Sequence, residues 1–261
     1  MDIALIASVA ALASALTLYS GFGLGTLLLP AFALFLDAPI AVAATAVVHL
    51  LNNLFKGTLL WTKVDWRTVL AFGIPAIPAA VLGAWVLSLL GTTPRLFEWV
   101  AFGEKFGPTG AGLTIGLLMI VFASLELQKW FHKLKAPPRL VPVGGLITGF
   151  FGGLTGQQGA FRSIFLLRSG LAPESFIATG VMIAVLVDLS RLTTYAASFS
   201  GAGLDWAGRE GLLLLVGTLS AFGGAFVATR YLDKLTIGAI RYGVAALMLV
   251  IGGAVSIGLL G

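Results

Sequence analysis

Gly152-Gly153-Leu154-Thr155-Gly156-Gln157-Gln158-Gly159-Ala160-Phe161-Arg162-Ser163 interrupts an apolar run of this 261-residue chain with glycines, two amides and one cation. A guanidinium at bilayer depth costs at least about 2.5–3.5 kcal/mol on insertion scales, so it persists only beside a cavity, a partner or an anion. The glycines predict a break between two stretches of helix. Such a break leaves backbone N–H groups exposed at the start of the second stretch. A permanent cation next to a helix N-terminus is the chemistry that an anion site needs.

The rest of the chain is equally apolar. Hydrophobic residues make up 58% of it and charged residues 10%, with a mean hydropathy of +1.02; soluble domains run near about 25% charged. Several uncharged windows reach the roughly 18 residues that cross a hydrocarbon core of about 30 Å as helix. They do not alternate with period two, as a β-barrel would. There is no cysteine, which excludes disulfides and thiolate metal sites. Met1-Asp2 leads straight into apolar sequence without a positive segment, which argues against a cleaved signal peptide. The pI near 9.7 reflects Lys and Arg in short loops between membrane segments, so no nucleic-acid partner is expected.

Apolar segments fall at residues 3–36, 38–61, 67–90, 109–128, 140–169, 174–199, 207–230 and 236–260. The chain also repeats itself. Ala38-Pro39 and Ala44-Thr45 match Ala172-Pro173 and Ala178-Thr179; Asp65-Trp66 and Gly83 match Asp205-Trp206 and Gly223; Leu118-Met119 matches Leu247-Met248. This predicts an all-α polytopic membrane protein of two membrane repeats, residues 1–128 and 140–261, joined by a basic linker at 129–139. Each repeat opens with a segment too long for one crossing: 3–36 would make about 51 Å of helix at about 1.5 Å per residue. Glycines cut both, at Gly21-Phe22-Gly23-Leu24-Gly25 and at Gly152 to Gly156. Each is therefore expected to be a broken pair of half-helices, followed by three spanning helices. If each pair enters and leaves on one face, the halves are inverted. One face then gathers Lys56, Lys63, Arg67, the four basic linker residues, Arg168, Arg230, Lys234 and Arg241; the other keeps only Arg95, Lys105 and Arg209. That asymmetry is the positive-inside pattern and places both termini outside. Inverted repeats with broken helices place a substrate site at the midplane.

The second segment of each half carries a polar stripe. His49, Asn52, Asn53 and Lys56 recur at i, i+3, i+4 and i+7; Asp188, Arg191 and Tyr195 recur at i, i+3 and i+7, so each set shares a helix face. Every member has a bland alternative. Asp188 and Arg191 can neutralise each other, Lys56 can snorkel to the interface, Asn52 and Asn53 can bridge helices, and His49 can be a satisfied core histidine. His49 is also the one intramembrane group that titrates near neutral pH without help, which makes it a proton-coupling candidate. The alternative for Arg162 is a salt bridge to Asp188. Gln157 and Gln158 are poor capping residues and read better as amide donors to an oxyanion. Thr26, Thr45 and Thr179 are weaker candidates. No Walker loop, no nucleophile–base pair and no metal-spaced ligand cluster is present, so neither an enzyme, nor a metal site, nor a cofactor is expected.

The duplicated halves, the breaks ending in Gly23-Leu24-Gly25 … Pro30 and in Gly152-Gly153-Leu154-Thr155-Gly156-Gln157-Gln158-Gly159, and the Ala-Pro … Ala-Thr elements resemble the TauE/SafE family of membrane transporters. The resemblance covers almost the whole chain. It implies export of sulfite, sulfoacetate or other organosulfonates. Gln157-Gln158-Gly159 stands where that family often has further glycines.

The expected function is thus a secondary transporter, in the exporting direction, of small sulfur-containing anions across the cytoplasmic membrane. The anion would sit at the midplane on Gly25, Thr26, Gln157, Gln158, Gly159, Arg162 and Ser163, with Asn52 and Asn53 on the opposite wall. His49, Lys56, Asp188, Arg191 and Tyr195 would orient the site or couple protons. The partners are a small anion and the lipid bilayer; monomer and homodimer both stay open. The rival readings are an anion uniporter or channel, a permease for a small carboxylate, and a membrane assembly protein without transport.

Overall fold

The computed structural model of the protein describes residues 2–20, 24–101, 103–198, 208–231 and 237–260, with side chains over the same ranges except 16–20, 229–231 and 237–241. The glycine break at Gly21-Phe22-Gly23, the repeat match at Asp205-Trp206, Lys234, and the side chains of Arg230 and Arg241 lie outside the described residues.

The helices are α1 (Asp2–Ser20), α2 (Leu24–Ala33), α3 (Ala38–Leu60), α4 (Trp66–Gly91), α5 (Gly110–Leu127), α6 (Val141–Thr155), α7 (Gly159–Leu166), α8 (Pro173–Ser198), α9 (Arg209–Tyr231) and α10 (Ile237–Ser256). Among the described residues, five helical stretches are long and apolar enough to cross a membrane: Ala38–Lys63, Trp66–Gly91, Gly110–Leu127, Pro173–Ser198 and Arg209–Ala228. The chain is a polytopic all-helical protein with one departure from that expectation. A small antiparallel hairpin, β1 (Trp99–Ala101) with β2 (Glu104–Phe106), fills the connection between α4 and α5. Its turn is set by Gly103, whose φ of +82° only glycine adopts without strain.

Local chemistry starts and stops the helices. The Asp65 carboxylate caps α4 by accepting from the Thr68 N–H at 2.7 Å. That hydrogen bond holds its carboxyl below the usual carboxylate range. The Thr109 hydroxyl caps α5 by accepting from the Gly112 N–H at 3.1 Å. Helix α6 ends where Gly156 turns left-handed, at φ +80°, and donates to the Gly152 carbonyl at 2.9 Å.

Small residues let the helices touch along their backbones. On α6, a Cβ at Gly145, Gly149 or Gly153 would fall 2.1, 2.3 or 2.1 Å from the carbonyl oxygens of Phe72, Ala76 and Ala80 on α4. This i, i+4, i+8 face is the small-residue packing that membrane helices use in place of a hydrophobic driving force. Helix α1 packs on α9, α4 on α6 and α8, α3 on α8 and α9, and α5 on α10. Helix α2 is buried along its whole length.

Two sets of contacts tie the ends of the bundle. At one end Lys63 pairs with Glu174 at 3.0 Å, and the Asp65 N–H donates to the Thr179 hydroxyl at 3.0 Å. The linker residue Ala136 there donates its N–H to the Ile164 carbonyl of α7 at 2.9 Å. At the other end Arg209 hydrogen-bonds Asp2, and its guanidinium carbon lies 6.0 Å from the Phe35 ring centroid. That hydrogen bond draws the Asp2 carboxyl down to about 2, so the pair stays charged across the physiological range. The indole N–H of Trp99 donates to the Ile257 carbonyl at 2.7 Å, tying the hairpin to the end of α10.

Candidate functional site

The interrupted segment and the first turn of α2 meet inside the bundle. A Cβ on Gly25 would lie 2.9 Å from the Gly156 carbonyl oxygen and 3.7 Å from the Thr45 methyl. Any larger residue at position 25 would push the α2 start off the break. Between Gly156 and α7 lie Gln157 and Gln158, both buried. The polar stripes of α3 and α8 close the space around them: Thr45, His49, Asn52, Asn53 and Lys56 from one, Asp188, Arg191 and Tyr195 from the other, all buried.

Asp188 is the hub. Its Oδ2 sits 2.5 Å from His49 Nδ1. Its Oδ1 accepts from Arg191 Nε at 3.0 Å and from Gln158 Nε2 at 3.2 Å, with Arg191 Nη2 2.8 Å away. One carboxylate therefore joins α3, α8 and the break. Asn53 Nδ2 lies 3.0 Å from His49 Nδ1. Tyr195 donates its hydroxyl proton to the Gly153 carbonyl. The Arg191 guanidinium presses on the break itself, since a Cβ on Gly156 would fall 2.6 Å from its Nη1.

Arg162 is different. It is half-buried, its Nε lies 3.2 Å from where a Gly180 Cβ would be, and its Nη1 is buried with no hydrogen-bond partner. The same holds for both amide atoms of Gln157, Gln158 Oε1, Asn52 Nδ2, Thr45 Oγ1 and Arg191 Nη1. Buried polar atoms are normally satisfied, and these orphans come from α3, α8, the break and α7. Most of the unmet donors belong to cations and amides, which suits an oxyanion.

A family model, Sulfite exporter TauE/SafE, matches residues 6–255. The chain belongs to the TauE/SafE family. It is therefore a multi-pass membrane transporter. No curated protein matches it.

The side-chain contacts of this TauE/SafE protein separate several alternatives that the sequence left open. Arg162 forms no salt bridge with Asp188; that carboxylate is taken by Arg191, His49 and Gln158, so Asp188 orients Arg191 and not Arg162. Lys56 does not snorkel: it is buried and donates to the Ser14 carbonyl at 3.2 Å. The Ser163 hydroxyl is spent on the Gly159 carbonyl at 3.0 Å, a bond within its own helix. Thr179 serves the α4 start. Thr26 is buried in the first turn of α2, and Gly159 opens α7. Sequence reasoning missed Ser14, whose hydroxyl donates to Asn52 Oδ1 at 2.9 Å. Its one signal is a hydroxyl in an apolar helix, which is too common to single out.

Proposed function

We propose that this protein is a secondary exporter of small sulfur-containing anions, sulfite or organosulfonates, that binds its substrate at the bundle centre. The observation that carries the reading is the buried, unpartnered Nη1 of Arg162 together with the orphaned amide of Gln157, five residues earlier at the break. The Arg162 guanidinium takes oxyanion oxygens through its planar donors. Gln157 and the first N–H groups of α7 add further donors, Asn52 and Asn53 line the far wall, and Gly25 and Thr26 bring the second half-helix start to the same point. Asp188, His49, Arg191 and Tyr195 hold the frame. Export of an anion from a negative-inside compartment gains about 2.3 kcal/mol per charge per 100 mV, so no nucleotide is needed.

The two halves, 1–128 and 140–261, are read as inverted repeats that rock about the site. The helix packing supports this. Exchanging α1 for α6, α3 for α8, α4 for α9 and α5 for α10 turns the packing of α4 on α6 into that of α9 on α1 and the packing of α4 on α8 into that of α9 on α3, and returns α3 on α8 and α5 on α10 to themselves. Each broken pair also returns towards its starting face: Asp2 and Phe35 both meet Arg209, and Ala136 meets Ile164. In the cysteine-free chain, Lys133→Cys and Arg168→Cys are expected to label from one side of sealed vesicles and Glu104→Cys from the other. Labelling of positions 133 and 168 from opposite sides would discard the inverted arrangement.

The function itself is tested with proteoliposomes loaded with labelled sulfite. Release is expected to saturate with substrate concentration. A linear, unsaturable conductance favours the channel reading, and no sulfite movement with carboxylate release favours the carboxylate permease.

A further inference from the structure

We infer that His49 is a proton site linked to the anion site, so that protonation of its ring and binding of the anion favour each other. This rests on the anion-transport reading above and concerns what the site takes up together with the anion.

The geometry runs through one carboxylate. A carboxylate only accepts hydrogen bonds. His49 Nδ1, 2.5 Å from Asp188 Oδ2, therefore carries the hydrogen of that contact, and Nε2 is the ring nitrogen left to gain or lose a proton. The other oxygen of the same carboxylate accepts from Gln158 Nε2 at 3.2 Å and from Arg191 Nε at 3.0 Å. Gln158 immediately precedes α7, and its carbonyl accepts from the Arg162 N–H at 3.1 Å. Two hydrogen bonds thus join the imidazole to the interrupted segment on which the anion is placed. Asn53 lies one turn along α3 from His49, with its Nδ2 3.0 Å from Nδ1 and 3.4 Å from Nε2. Because Nδ1 spends its hydrogen on Asp188, Nε2 is the atom that can accept from this amide. An amide has a donor on one side and an acceptor on the other, so turning it over would offer Oδ1 to a protonated Nε2. Asn53 can therefore serve the ring in either charge state.

Charge supplies the coupling. Among the described side chains, Asp188, Arg191 and Tyr195 of α8 share the buried cluster with His49. Lys56, two turns along α3, and Arg162 on α7 are the other cations inside the bundle. Helix α2 brings no ionisable group, and Lys63, Arg67, Glu126, Glu174, Arg209 and Glu210 stand at or beside the ends of their helices. Asp188 and Arg191 form an ion pair. With a neutral His49 the three side chains carry no net charge; with a protonated one they carry one positive charge, joined to the break through Asp188 and Gln158. That charge attracts an anion, and the bound anion in turn favours the proton by the same factor. The sign follows: anion affinity is greatest where His49 is protonated and falls as the pH rises through its titration. Imidazole is the side chain suited to this, since its charge changes in the near-neutral range.

Methanesulfonate is the probe, because the anion of so strong an acid keeps its own charge throughout. Its binding to the full chain in detergent is measured by calorimetry at about pH 6 and about pH 8, in two amine buffers of different ionisation heat, whose cations do not compete for an anion site. The affinity is expected to be at least about fivefold higher at the lower pH, with protons taken up on binding. His49→Asn keeps a donor near the place of Nδ1 and cannot take up a proton; in it the pH dependence and the uptake are expected to vanish. The chain has two histidines, so His132→Gln leaves His49 alone in the NMR spectrum of histidine-labelled protein. Its ring signal is expected to titrate, with a midpoint that moves to higher pH when methanesulfonate is added; this reading stands even where His49→Asn does not fold. Equal affinity at both pH values without proton uptake, or a ring signal that does not titrate, overturns the proton site and leaves anion transport standing. A pH dependence that persists in a folded His49→Asn protein overturns the role given to His49. Failure of both methanesulfonate and sulfite to bind at either pH defeats the anion reading underneath.

Discussion

Arg162→Ala is expected to cut sulfite flux at least about 30-fold while leaving the protein as stable as before, or more so. Truncating one partner of a buried, hydrogen-bonded charge pair costs about 2–5 kcal/mol, and the lower bound already corresponds to roughly 30-fold. The stability half of the expectation is what separates a binding residue from a structural one. The Arg162 Nη1 has no hydrogen-bond partner within the protein, so its removal breaks no such bond and relieves a desolvated charge. Arg162→Lys keeps the cation but loses the planar fork and is expected to fall between alanine and wild type. The measurements are initial flux in proteoliposomes and the thermal midpoint in detergent. Wild-type flux in Arg162→Ala removes this residue from the site. A membrane assembly role without transport would instead give no sulfite flux from either protein.

Much of the framework could be read before any coordinates, and the reasons are physical. Membrane insertion demands long apolar helices, so their positions follow from hydropathy, and the residue spacing within a helix fixes which side chains share a face. Thus His49, Asn52, Asn53 and Lys56 could be placed on one stripe and Asp188, Arg191 and Tyr195 on another. What spacing cannot give is axial register between helices. Whether Asp188 reaches Arg162 or Arg191 depends on how far α7 sits from α8, and this distance is set by contacts such as Arg162 over Gly180. The role of Ser14 was hidden for the same reason: it matters only because α1 brings it level with Asn52 and Lys56. The glycines of α6 were countable, but their partners, the carbonyls of α4, belong to a helix far away in the chain. The hairpin at 99–106 escaped notice because two strands of three residues carry almost no periodic signal.

Asp188→Ala is expected to do the opposite of Arg162→Ala and lower stability sharply. The carboxylate binds His49, Arg191 and Gln158 at once, and all of these are buried. Removing one partner of a buried ion pair costs about 3–5 kcal/mol, because the remaining charge stays desolvated and unpaired. Here the stranded group is Arg191, whose guanidinium lies against Gly156, so the damage reaches the break and transport falls as well. Thermal unfolding in detergent measures the first effect. A compensated variant tells a structural hub from an ordinary substitution: Asp188→Leu with Arg191→Met removes both charges together and is expected to recover most of the lost stability, since apolar replacements of a buried pair are often neutral. Transport should not return in that variant, because Gln158 has lost the acceptor that fixes its side chain and the break has lost the guanidinium packed on it. An Asp188→Ala protein that unfolds at the wild-type temperature contradicts the hub. A double variant that transports normally would show that the Asp188–Arg191 pair has no part in shaping the anion site.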